Sequence, residues 1–322
     1  MSGQPSRVAA VVLTYNSSDD LPGCLAGLMA QQGVDLRILV VDNASTADDR
    51  ARMEADFRAA LPDGRVLPAR NICPEDVAPL PAVFLRNEIN AGYSAGNNIG
   101  ARLAALIACD AVLVVNPDVR ISDPEYVRTL AALITSDPAT AVACSALRNL
   151  SGAQENPMSE PGFAEELSWP FQMLAAAVFR RRKPAAPLPA APCRVEKVSG
   201  ACFMIRTDFL QLTGFFEESV FLYCEESILM AQVRAAGWHM MMDPAIEALH
   251  AHRNDSKGDP LPRFRTWAKS RGQFHKDYGG YGPVRQSLLA GSRAITLGLI
   301  RGRGYLRRQS NSDGGAGIGD GT

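Results

Sequence analysis

An aspartate that directly follows a buried strand is the residue of this sequence best placed for chemistry. Val112 to Val115 form a continuous apolar run, typical of a strand buried on both faces, and lead into Asn116, Pro117 and Asp118. Proline cannot donate to a sheet ladder, so the strand must end there and deliver Asp118 at its carboxyl end. A carboxylate at that edge of an α/β sheet suits a divalent cation, which can in turn hold a diphosphate. Asn-Pro-Asp is also a common turn sequence, so a simple turn stays an alternative.

Two histidines far along the chain are candidate partners for Asp118. His250 follows a short apolar run, Ala245 to Leu249, and imidazole is a common metal ligand. With Asp118 it would supply two protein ligands and leave other positions for diphosphate oxygens and water. His252 is a close competitor, and a lone histidine after a strand is also a common structural residue. A His-Xaa-His pair can indicate zinc, but neither a thiolate nor a third ligand lies nearby in the sequence.

Two adjacent carboxylates, Glu225 and Glu226, begin a predicted helix. The preceding residues, Phe221 to Tyr223, are apolar, so the pair is not expected to be freely exposed. An ionised carboxylate beside a sugar site is a competent general base for an acceptor hydroxyl. The alternative is a solvated first turn, where the helix dipole stabilises acidic side chains.

Polar residues also follow the first two predicted strands, at 7–13 and 36–41. They are Thr14, Tyr15, Asn16, Asp42 and Asn43. A planar base and its ribose could lie there, because aspartate can accept the ring N–H of uracil or thymine and tyrosine offers a stacking face. The pair Asp42-Asn43 could equally cap the helix that follows, and both roles can hold together.

Three glycines recur at every fourth position in NEINAGYSAGNNIG, unlike the GxGxxG of dinucleotide-binding folds. Gly96 and Gly100 would share one helix face, four residues after Gly92, and would allow a close backbone approach. Asn97 and Asn98 would lie near the helix start, where free N–H groups attract phosphate or sugar oxygens. Glycines that only pack the helix against the sheet need no ligand, and this alternative stays open.

The elements that must position these residues alternate between strand and helix, which predicts parallel pairing and a doubly wound α/β sheet. Strands are predicted at 7–13, 36–41, 82–85, 112–116, 141–147, 195–205, 238–242 and 245–250. Residues 62–81 are predicted to form an irregular loop. Parallel strands bring their carboxyl ends to one edge, so Thr14, Asp42 and Asp118 are expected to share a site.

Composition describes an ordinary globular chain of 322 residues, 47% apolar, with a formal net charge of −1. No global field therefore indicates nucleic acid as a partner. The seven cysteines are scattered and lack CxxC spacing, which supports neither a disulfide framework nor a zinc site and favours a reducing cytoplasm. No run of about eighteen apolar residues occurs, and Val8 to Leu13 is too short for a signal peptide.

The C-terminal segment is basic. Residues 261–312 hold eleven Lys or Arg and one acid, Asp277. Val284 to Ile300 mixes Leu, Ile and Ala with spaced Arg, a pattern suited to peripheral contact with an anionic membrane on the inner face of the cell membrane. A helical hairpin that packs on the rest of the chain with a solvated basic face is the alternative.

Seven motifs, in order, resemble the inverting GT-A glycosyltransferases of family 2, particularly the bacterial rhamnosyltransferase-like branch. They are TYN at 14–16, VVDNAST at 40–46, NAGYSAGNNIGA at 90–101, VVNPDV at 114–119, VSGACFMIR at 198–206, FLYCEE at 221–226 and LHAHRNDS at 249–256. The resemblance implies a GT-A fold, which is Rossmann-like with a mostly parallel central sheet flanked by helices. It also implies inverting transfer of a rhamnose-type or hexose sugar from a nucleotide-diphosphate sugar. The acceptor would be a glycan or a lipid-linked acceptor in cell-envelope polysaccharide synthesis.

The resemblance also implies roles for single residues. Asp118 and His250 would hold Mg²⁺ or Mn²⁺, His250 being preferred over His252 because Ser256 follows it at the spacing of this branch. Glu226 would be the catalytic base, with Glu225 as its catalytic neighbour. The set implied to bind the nucleotide sugar is Thr14, Tyr15, Asn16, Asp42, Asn43, Gly92, Gly96, Asn97, Asn98, Asn116 and Gly200.

Departures from the family pattern lie in the acceptor-side half. Glu226 replaces an aspartate, Ile228 stands where a further Asp is frequent, and Gln232 where Arg is frequent. An impaired GT-A scaffold that serves as a binding or assembly subunit is therefore the alternative function. A nucleotidyltransferase would favour a Gly-rich phosphate loop with basic residues after the first strand, and a dehydrogenase needs a dinucleotide fingerprint, so both are disfavoured.

The expected domain organisation has a catalytic domain at 1–260 and a basic helical extension at 261–310. Within the former, a nucleotide-binding half at 1–150 precedes an insertion at about 151–193, which is flexible in part. An acceptor-side half follows at 194–260. Residues 311–322 are rich in Gly, Ser and Asp and are expected to form a disordered tail.

Overall fold

A computed structural model of the chain describes residues 6–178, 188–252 and 260–313. The chain divides into two compact units, here called the sheet unit (residues 1–160 and 185–253) and the helical unit (161–184 and 254–322). These boundaries differ from the expected ones, because residues 151–160 belong with the sheet and residues 161–184 with the C-terminal helices. The part of the expected insertion at 179–187 lies outside the described residues.

The sheet unit is built on one mixed sheet of ten strands. The strands are β1 (Arg7–Thr14), β2 (Asp35–Asn43), β3 (Arg65–Pro68), β4 (Ala82–Asn87), β5 (Ala111–Val115), β6 (Val119–Arg120), β7 (Thr140–Asn149), β8 (Cys193–Val195), β9 (Cys202–Arg206) and β10 (His239–His250). Their order is β3-β4-β2-β1-β5-β9-β7-β10-β6, and β8 pairs with β10. Strands β3, β4, β2, β1 and β5 are parallel, which confirms the Rossmann-like half of the prediction.

The sheet is less parallel than the alternation of strands and helices predicts. Strand β9 lies between β5 and β7 and runs antiparallel to both. Strand β10 is parallel to β7 and antiparallel to β6 and β8. A single apolar run of residues gives no sign of its direction, since direction depends on the connection that precedes it.

Helices of the sheet unit lie against this sheet. They are α1 (Leu21–Met29), α2 (Ala47–Ala60), α3 (Pro74–Val77), α4 (Tyr93–Leu106), α5 (Tyr126–Thr135), α8 (Thr207–Thr213) and α9 (Glu225–Ala235). A Cβ on Gly96 would lie 2.5 Å from Leu13 Cδ1, and one on Gly100 would lie 2.6 Å from Val11 Cγ1. The two glycines therefore let α4 pack directly on β1, as the packing alternative expects.

Three local predictions need correction. The expected loop at 62–81 contains β3 and α3, and β3 completes the sheet beyond β4. The expected strand at 195–205 is divided into β8 and β9, with Ser199 and Gly200 in the connection. The two short strands expected near the end are one strand, β10, whose register shifts between Asp243 and Glu247.

The helical unit contains α6 (Phe163–Leu167), α7 (Trp169–Val178), α10 (Pro260–Asp277) and α11 (Pro283–Asp313). Its centre holds a buried ionic cluster in which Glu166 accepts from Arg271 and contacts His275 Nε2 at 3.0 Å. Helix α11 continues to Asp313, so the first three residues of the expected tail are helical. The rest of that tail, 314–322, lies outside the described residues.

Candidate active site

The carboxyl ends of three neighbouring parallel strands form one edge of the sheet. Thr14 at the end of β1 pairs with Asp42 at the end of β2, and Val12 of β1 pairs with Val115 of β5. The polar residues after these strands therefore meet as the sequence predicts. Asn116 stands at the turn after β5, where its backbone N–H donates to the carbonyl of Ala201 at 2.8 Å.

Strand pairing also brings the end of β10 to Asp118. His250 pairs with Val119 of β6, and the N–H of Ala251 donates to the carbonyl of Asp118 at 2.8 Å. His250 Nε2 consequently lies 3.2 Å from Asp118 Oδ1. His252 Nδ1 lies 3.3 Å from Asp118 Oδ2, so both histidines reach the same carboxylate.

The donor set at Asp118 fits a divalent cation. The Oδ1 atom of Asp118 is buried and receives no hydrogen bond of good geometry from any described residue, although His250 Nε2 faces it. One ligand atom from each of Asp118, His250 and His252 lies within 4.8 Å of the others. A carboxylate with imidazoles is a suitable partial shell for Mg²⁺, Mn²⁺ or another first-row divalent ion.

His250 is held between two carboxylates. Its Nδ1 lies 2.6 Å from Glu155 Oε2, opposite the contact of Nε2 with Asp118. Burial works against the charged ring, but its contacts with Asp118 and Glu155 prevail and raise the pKa of His250 to about 9. The same contacts lower the pKa of Asp118 despite its burial, and the His250 hydrogen bond lowers the pKa of Glu155. A bound cation would replace the proton on Nε2.

The paired acids begin α9, as the sequence predicts. Tyr223 and Cys224 just before them have φ of 71° and 70°, a left-handed turn that sets the direction in which the helix starts. Oε1 of Glu225 is buried without a hydrogen-bond partner in the part of the chain that is described. Burial, reinforced by the charge of Glu226, raises the pKa of Glu225 to about 8.

Glu226 faces the loop between β8 and β9. A Cβ on Gly200 would lie 3.1 Å from Glu226 Oε1 and 3.4 Å from the Tyr93 hydroxyl. Tyr93, the first residue of α4, donates its hydroxyl to the carbonyl of Gly200. Burial, followed by the charges of Glu225 and Glu226, raises the pKa of Tyr93 well above its ordinary value. The tyrosine therefore stays a hydrogen-bond donor that fixes this loop beside the acids.

A cavity of about 520 Å³ connects Glu226 with the surroundings of His250. Its lining is Gln154, Glu155, Pro157, Met158, Ser159, Ser199 and Glu226. Glu155, which contacts the His250 ring, thus forms a wall of the same cavity as Glu226. A second cavity of about 430 Å³, lined by Asp110, Thr207 and Asp208 among others, contains none of these site residues.

The residues implied to bind the nucleotide sugar differ in what they contact. Tyr15 is 55% exposed at the edge, whereas Thr14 is buried and donates to the carbonyl of Val41 at 3.2 Å. Asn16 has φ of 51°, and its side chain accepts from the N–H of Thr46 at 2.9 Å. These three residues are brought together at the sheet edge, and their contact with a donor stays a prediction.

Asp42 is completely buried and engaged by protein groups. Its Oδ2 is ion-paired with Arg50, and its Oδ1 accepts from the N–H of Ser45 at 3.2 Å. The capping alternative is wrong, because α2 is capped by Thr46, whose hydroxyl accepts from the N–H of Asp49 at 3.4 Å, and the N–H that bonds to Asp42 belongs to the turn before the helix. Arg50 also contacts Glu88 at 3.2 Å, so a base that reached Asp42 would compete with this guanidinium.

The asparagines and Gly92 and Gly96 serve the internal structure. Asn43 donates to Asn90 Oδ1 at 3.0 Å and to the carbonyl of Gly92 at 3.3 Å. Asn98 accepts from the N–H of Phe216 at 2.9 Å and donates to its carbonyl at 2.8 Å.

Gly92 has φ of 111°, and a Cβ there would lie 2.4 Å from the carbonyl oxygen of Phe221. Asn97 donates to the carbonyl of Tyr93 at 3.1 Å, whereas its buried Oδ1 has no partner among the described residues. Asn97 is therefore the one of these asparagines with a spare acceptor, and sugar contacts by this group stay a prediction.

Sequence reasoning missed Glu155 and Tyr93. Glu155 lies in a segment that lacks hydrophobic periodicity, and nothing in the local pattern links it to His250, ninety-five residues away. In the sequence, Tyr93 stands out only as part of the glycine motif. Tyr93 is the first residue of α4, and it lies near Glu225 and Glu226 only in the folded chain. No local pattern in the sequence indicates this proximity.

Comparison with known structures assigns the class of the fold, which is that of the GT-A glycosyltransferases. A mannosyltransferase from Pyrobaculum calidifontis, solved with GDP-Man and Mn²⁺, matches 97% of this chain and 80% of its own at a TM-score of 0.56 and 16% identity. GalNAc-T7, solved with UDP, GalNAc and Mn²⁺, matches 87% of this chain and 50% of its own at a TM-score of 0.59 and 13% identity. At these identities the likeness concerns the fold.

The chain belongs to the family described as "Glycosyltransferase like family 2", which matches residues 5–268, and it is a glycosyltransferase. A relative from Mycobacterium tuberculosis, an N-acetylglucosaminyl-diphospho-decaprenol L-rhamnosyltransferase, is 26% identical over 92% of this chain and 94% of its own length. A low-salt glycan biosynthesis hexosyltransferase from Haloferax volcanii is 24% identical over 91% of this chain and 78% of its own. The predicted family and its rhamnosyltransferase-like branch are thereby confirmed.

Proposed function

We propose that this chain transfers a rhamnose-type or other hexose sugar from a nucleotide-diphosphate sugar to a hydroxyl of a lipid-linked glycan in cell-envelope synthesis. The observation that carries the proposal is the position of Glu155 between two groups. Glu155 contacts His250, which lies against Asp118, and it lines the same cavity as Glu226. The candidate cation site at Asp118 and His250 would bind the donor diphosphate, and Glu226 would take the acceptor proton. The side chain of Glu155 lies between them. The M. tuberculosis relative, named for a diphospho-decaprenol substrate, supports the acceptor class.

In an inverting displacement, the residues of this chain would have separate roles. Asp118 and His250, with His252 beside them, would hold a divalent cation, which when bound neutralises charge on the leaving diphosphate. Glu226 accepts the proton of the acceptor hydroxyl. At the same time the hydroxyl oxygen attacks the anomeric carbon from the face opposite the diphosphate, which leaves. Tyr93 and Gly200 hold the loop that faces this carboxylate.

The cavity beside Glu226 suits the acceptor sugar. Met158 and Pro157 offer apolar surface to a pyranose ring, whereas Gln154, Ser159 and Ser199 offer hydrogen bonds to its hydroxyls. In this arrangement the acceptor oxygen enters from the side of α9 and the donor from the carboxyl edge of β1, β2 and β5. The reaction thus needs the acceptor beside Glu226 and the donor diphosphate beside His250.

We further propose that the helical unit makes peripheral contact with an anionic membrane at the inner face of the cell membrane. On α11, Val284, Leu288 and Ile295 are exposed by 75%, 48% and 58% and recur at spacings of four and seven, which places them on one helix face. The excess of basic residues over 261–312 complements anionic lipid headgroups. Among the described helices, none is long and apolar enough to cross a bilayer.

A thermal-shift panel tests the donor half of the proposal. The full chain is heated with Mn²⁺ and each of the common UDP-, GDP- and dTDP-sugars, because a ligand that binds only the folded state raises the melting temperature. We expect one base and sugar class to give a clearly larger shift, and EDTA to abolish it. The selected donor is then incubated with a short-chain polyprenyl diphosphate sugar, and product is measured by mass spectrometry. Binding of a donor without transfer or hydrolysis would instead favour the scaffold alternative.

A further inference from the structure

The carboxylate of Glu155 approaches His250 on the side of the ring that faces away from Asp118. Nδ1 of His250 lies 2.6 Å from Glu155 Oε2, and Nε2 lies 3.2 Å from Asp118 Oδ1. An imidazole that donates from Nδ1 keeps its other nitrogen available as a lone-pair ligand. The ring orientation that Glu155 favours is therefore the one in which Nε2 can bind a cation beside Asp118.

Glu155 is itself fixed by a folded turn at the end of β7. Its backbone N–H donates to the carbonyl of Leu147 at 2.7 Å, and its Oε1 accepts from Asn149 Nδ2 at 3.4 Å. The side-chain oxygen of Asn149 accepts from the N–H groups of Ser151 and Ala153 at 3.0 and 3.1 Å. Both carboxylate oxygens of Glu155 thus have partners, which restrains its rotation.

The same turn is joined to the strand that carries His250. Asn149 and His250 are directly paired in the parallel ladder between β7 and β10. The next residue after Glu155, Asn156, is completely buried, donates to the carbonyl of Ser145 at 3.1 Å and accepts from the N–H of Ser199 at 2.7 Å. The segment around Glu155 is therefore bonded to β7 on one side and to the loop between β8 and β9 on the other.

We propose that Glu155 is a positioning residue, which holds the His250 ring with Nε2 directed at Asp118 and so prepares the pair to bind a divalent cation. Histidines that bind metals commonly donate their second N–H to a carboxylate, and removal of that carboxylate typically costs 10- to 100-fold in metal affinity. The inference rests on the proposed cation site but not on sugar transfer. A carboxylate that only stabilised the turn after β7 would change stability and leave metal affinity unaltered.

The test measures binding of Mn²⁺ alone to the full chain, by loss of the free-ion EPR signal. Glu155→Gln keeps the size of the side chain and removes its charge, and we expect Mn²⁺ to bind about 10- to 100-fold more weakly. Glu155→Asp keeps the charge but withdraws the carboxylate by one methylene, so a positioning role predicts a loss here too. The melting temperature of each variant is measured in the same buffer without metal.

Glu247→Gln is the matched control. Glu247 lies on the same strand as His250, three residues earlier, and is ion-paired with Arg148 instead of the histidine. We expect its Mn²⁺ affinity to stay within twofold of the unmodified chain. Equal affinity of Glu155→Gln and Glu247→Gln would overturn the proposal, and so would full affinity in Glu155→Asp, which would reduce the role to charge alone. Because neither donor nor acceptor is present, failure of the transfer assay would not affect this result.

Discussion

A Cβ added to Gly200 would lie 3.1 Å from Oε1 of Glu226, a separation tighter than most real Cβ contacts. The glycine therefore keeps open the space that the carboxylate occupies beside the cavity. This relationship links the loop between β8 and β9, held by the Tyr93 hydroxyl, to the first turn of α9. The position of the Glu226 carboxylate therefore depends on three segments, which are the start of α4 with Tyr93, the loop with Gly200 and the first turn of α9.

Gly200→Ala should lower the turnover number and leave the fold intact. The new methyl group displaces the Glu226 carboxylate by a few tenths of an ångström, and misplacement of a reacting group by about 1 Å can cost 100-fold in rate. We expect about a 10-fold loss in transfer with little change in donor binding. Gly162→Ala is the control, since a Cβ there meets no atom within 4 Å. Normal turnover in Gly200→Ala would show that this contact does not constrain the base.

Glu226→Gln should fold, bind the donor and lose transfer. The amide occupies nearly the same volume but cannot accept a proton, and general base catalysis typically contributes 10²- to 10⁴-fold. The loss should appear in single-turnover transfer with the donor selected by thermal shift. Glu225→Gln serves as the comparison, because Oε1 of Glu225 is buried at the same helix start. If Glu226→Gln transferred sugar normally and Glu225→Gln did not, the base would be Glu225.

The pKa of Glu225, raised to about 8 by burial and by Glu226, predicts how stability depends on pH. Between an unfolded pKa near 4.5 and the folded value, the folded state binds the proton more tightly, so the free energy of unfolding falls as pH rises. Glu225→Gln should remove this contribution. We expect the variant to be more stable than the unmodified chain at pH 9, by on the order of a few kcal/mol, and similar at pH 4.5.

Urea denaturation at pH 4.5, 7 and 9 measures this difference directly. Titrating groups that do not interact with Glu225 contribute equally to both proteins and cancel in the comparison, so the difference reports Glu225 together with its neighbour Glu226. Glu247→Gln, an exposed ion-paired carboxylate, provides the control and should show no such widening with pH. A constant difference between Glu225→Gln and the unmodified chain at all three pH values would contradict the raised pKa.

The sequence predicts the edge of the sheet well because it depends on local pattern. Continuous apolar runs ended by polar residues mark β1, β2 and β5, and parallel order brings Thr14, Asp42 and Asp118 together. The helix start at Glu225 is equally local. Glycine spacing, in contrast, leaves two interpretations, and only the contacts of Gly96 and Gly100 with β1 identify packing.

What the sequence does not predict are contacts between segments that are distant along the chain. The direction of β9 and the union of the last two predicted strands into β10 depend on which neighbours are available in the sheet. Glu155 lies in a stretch rich in Pro and small residues, which reads as an insertion. Its hydrogen bond to His250 exists only because Asn149 and His250 are neighbours in the ladder.

His250→Ala should weaken Mn²⁺ binding more than His252→Ala. His250 has its ring fixed by Glu155 and is 16% exposed, whereas His252 is 42% exposed. A ligand that is already oriented loses less entropy when it binds. We expect the ratio of the two dissociation constants to be about tenfold. The opposite ranking in the EPR assay would assign the main imidazole ligand to His252.

Exposed apolar residues on α11 should determine whether the chain binds lipid. Val284, Leu288 and Ile295 form one face, and each side chain transferred from water to the interface contributes on the order of 1 kcal/mol, in addition to attraction between basic residues and anionic headgroups. Replacement of all three by Ser should reduce co-sedimentation with vesicles of phosphatidylglycerol and phosphatidylcholine by at least tenfold. High salt should weaken binding of the unmodified chain without abolishing it.

The matched control replaces two exposed leucines of the sheet unit, Leu106 and Leu212, which are 63% and 64% exposed. If loss of any surface hydrophobicity sufficed, Leu106→Ser/Leu212→Ser would detach from vesicles as well. If α11 forms the contact, that variant should pellet like the unmodified chain while the α11 variant stays in the supernatant. Transfer to a water-soluble acceptor analogue should be equal in all three proteins, because the contact delivers the enzyme to a lipid-linked acceptor and takes no part in the displacement. Equal pelleting of all three would exclude this face as the membrane contact.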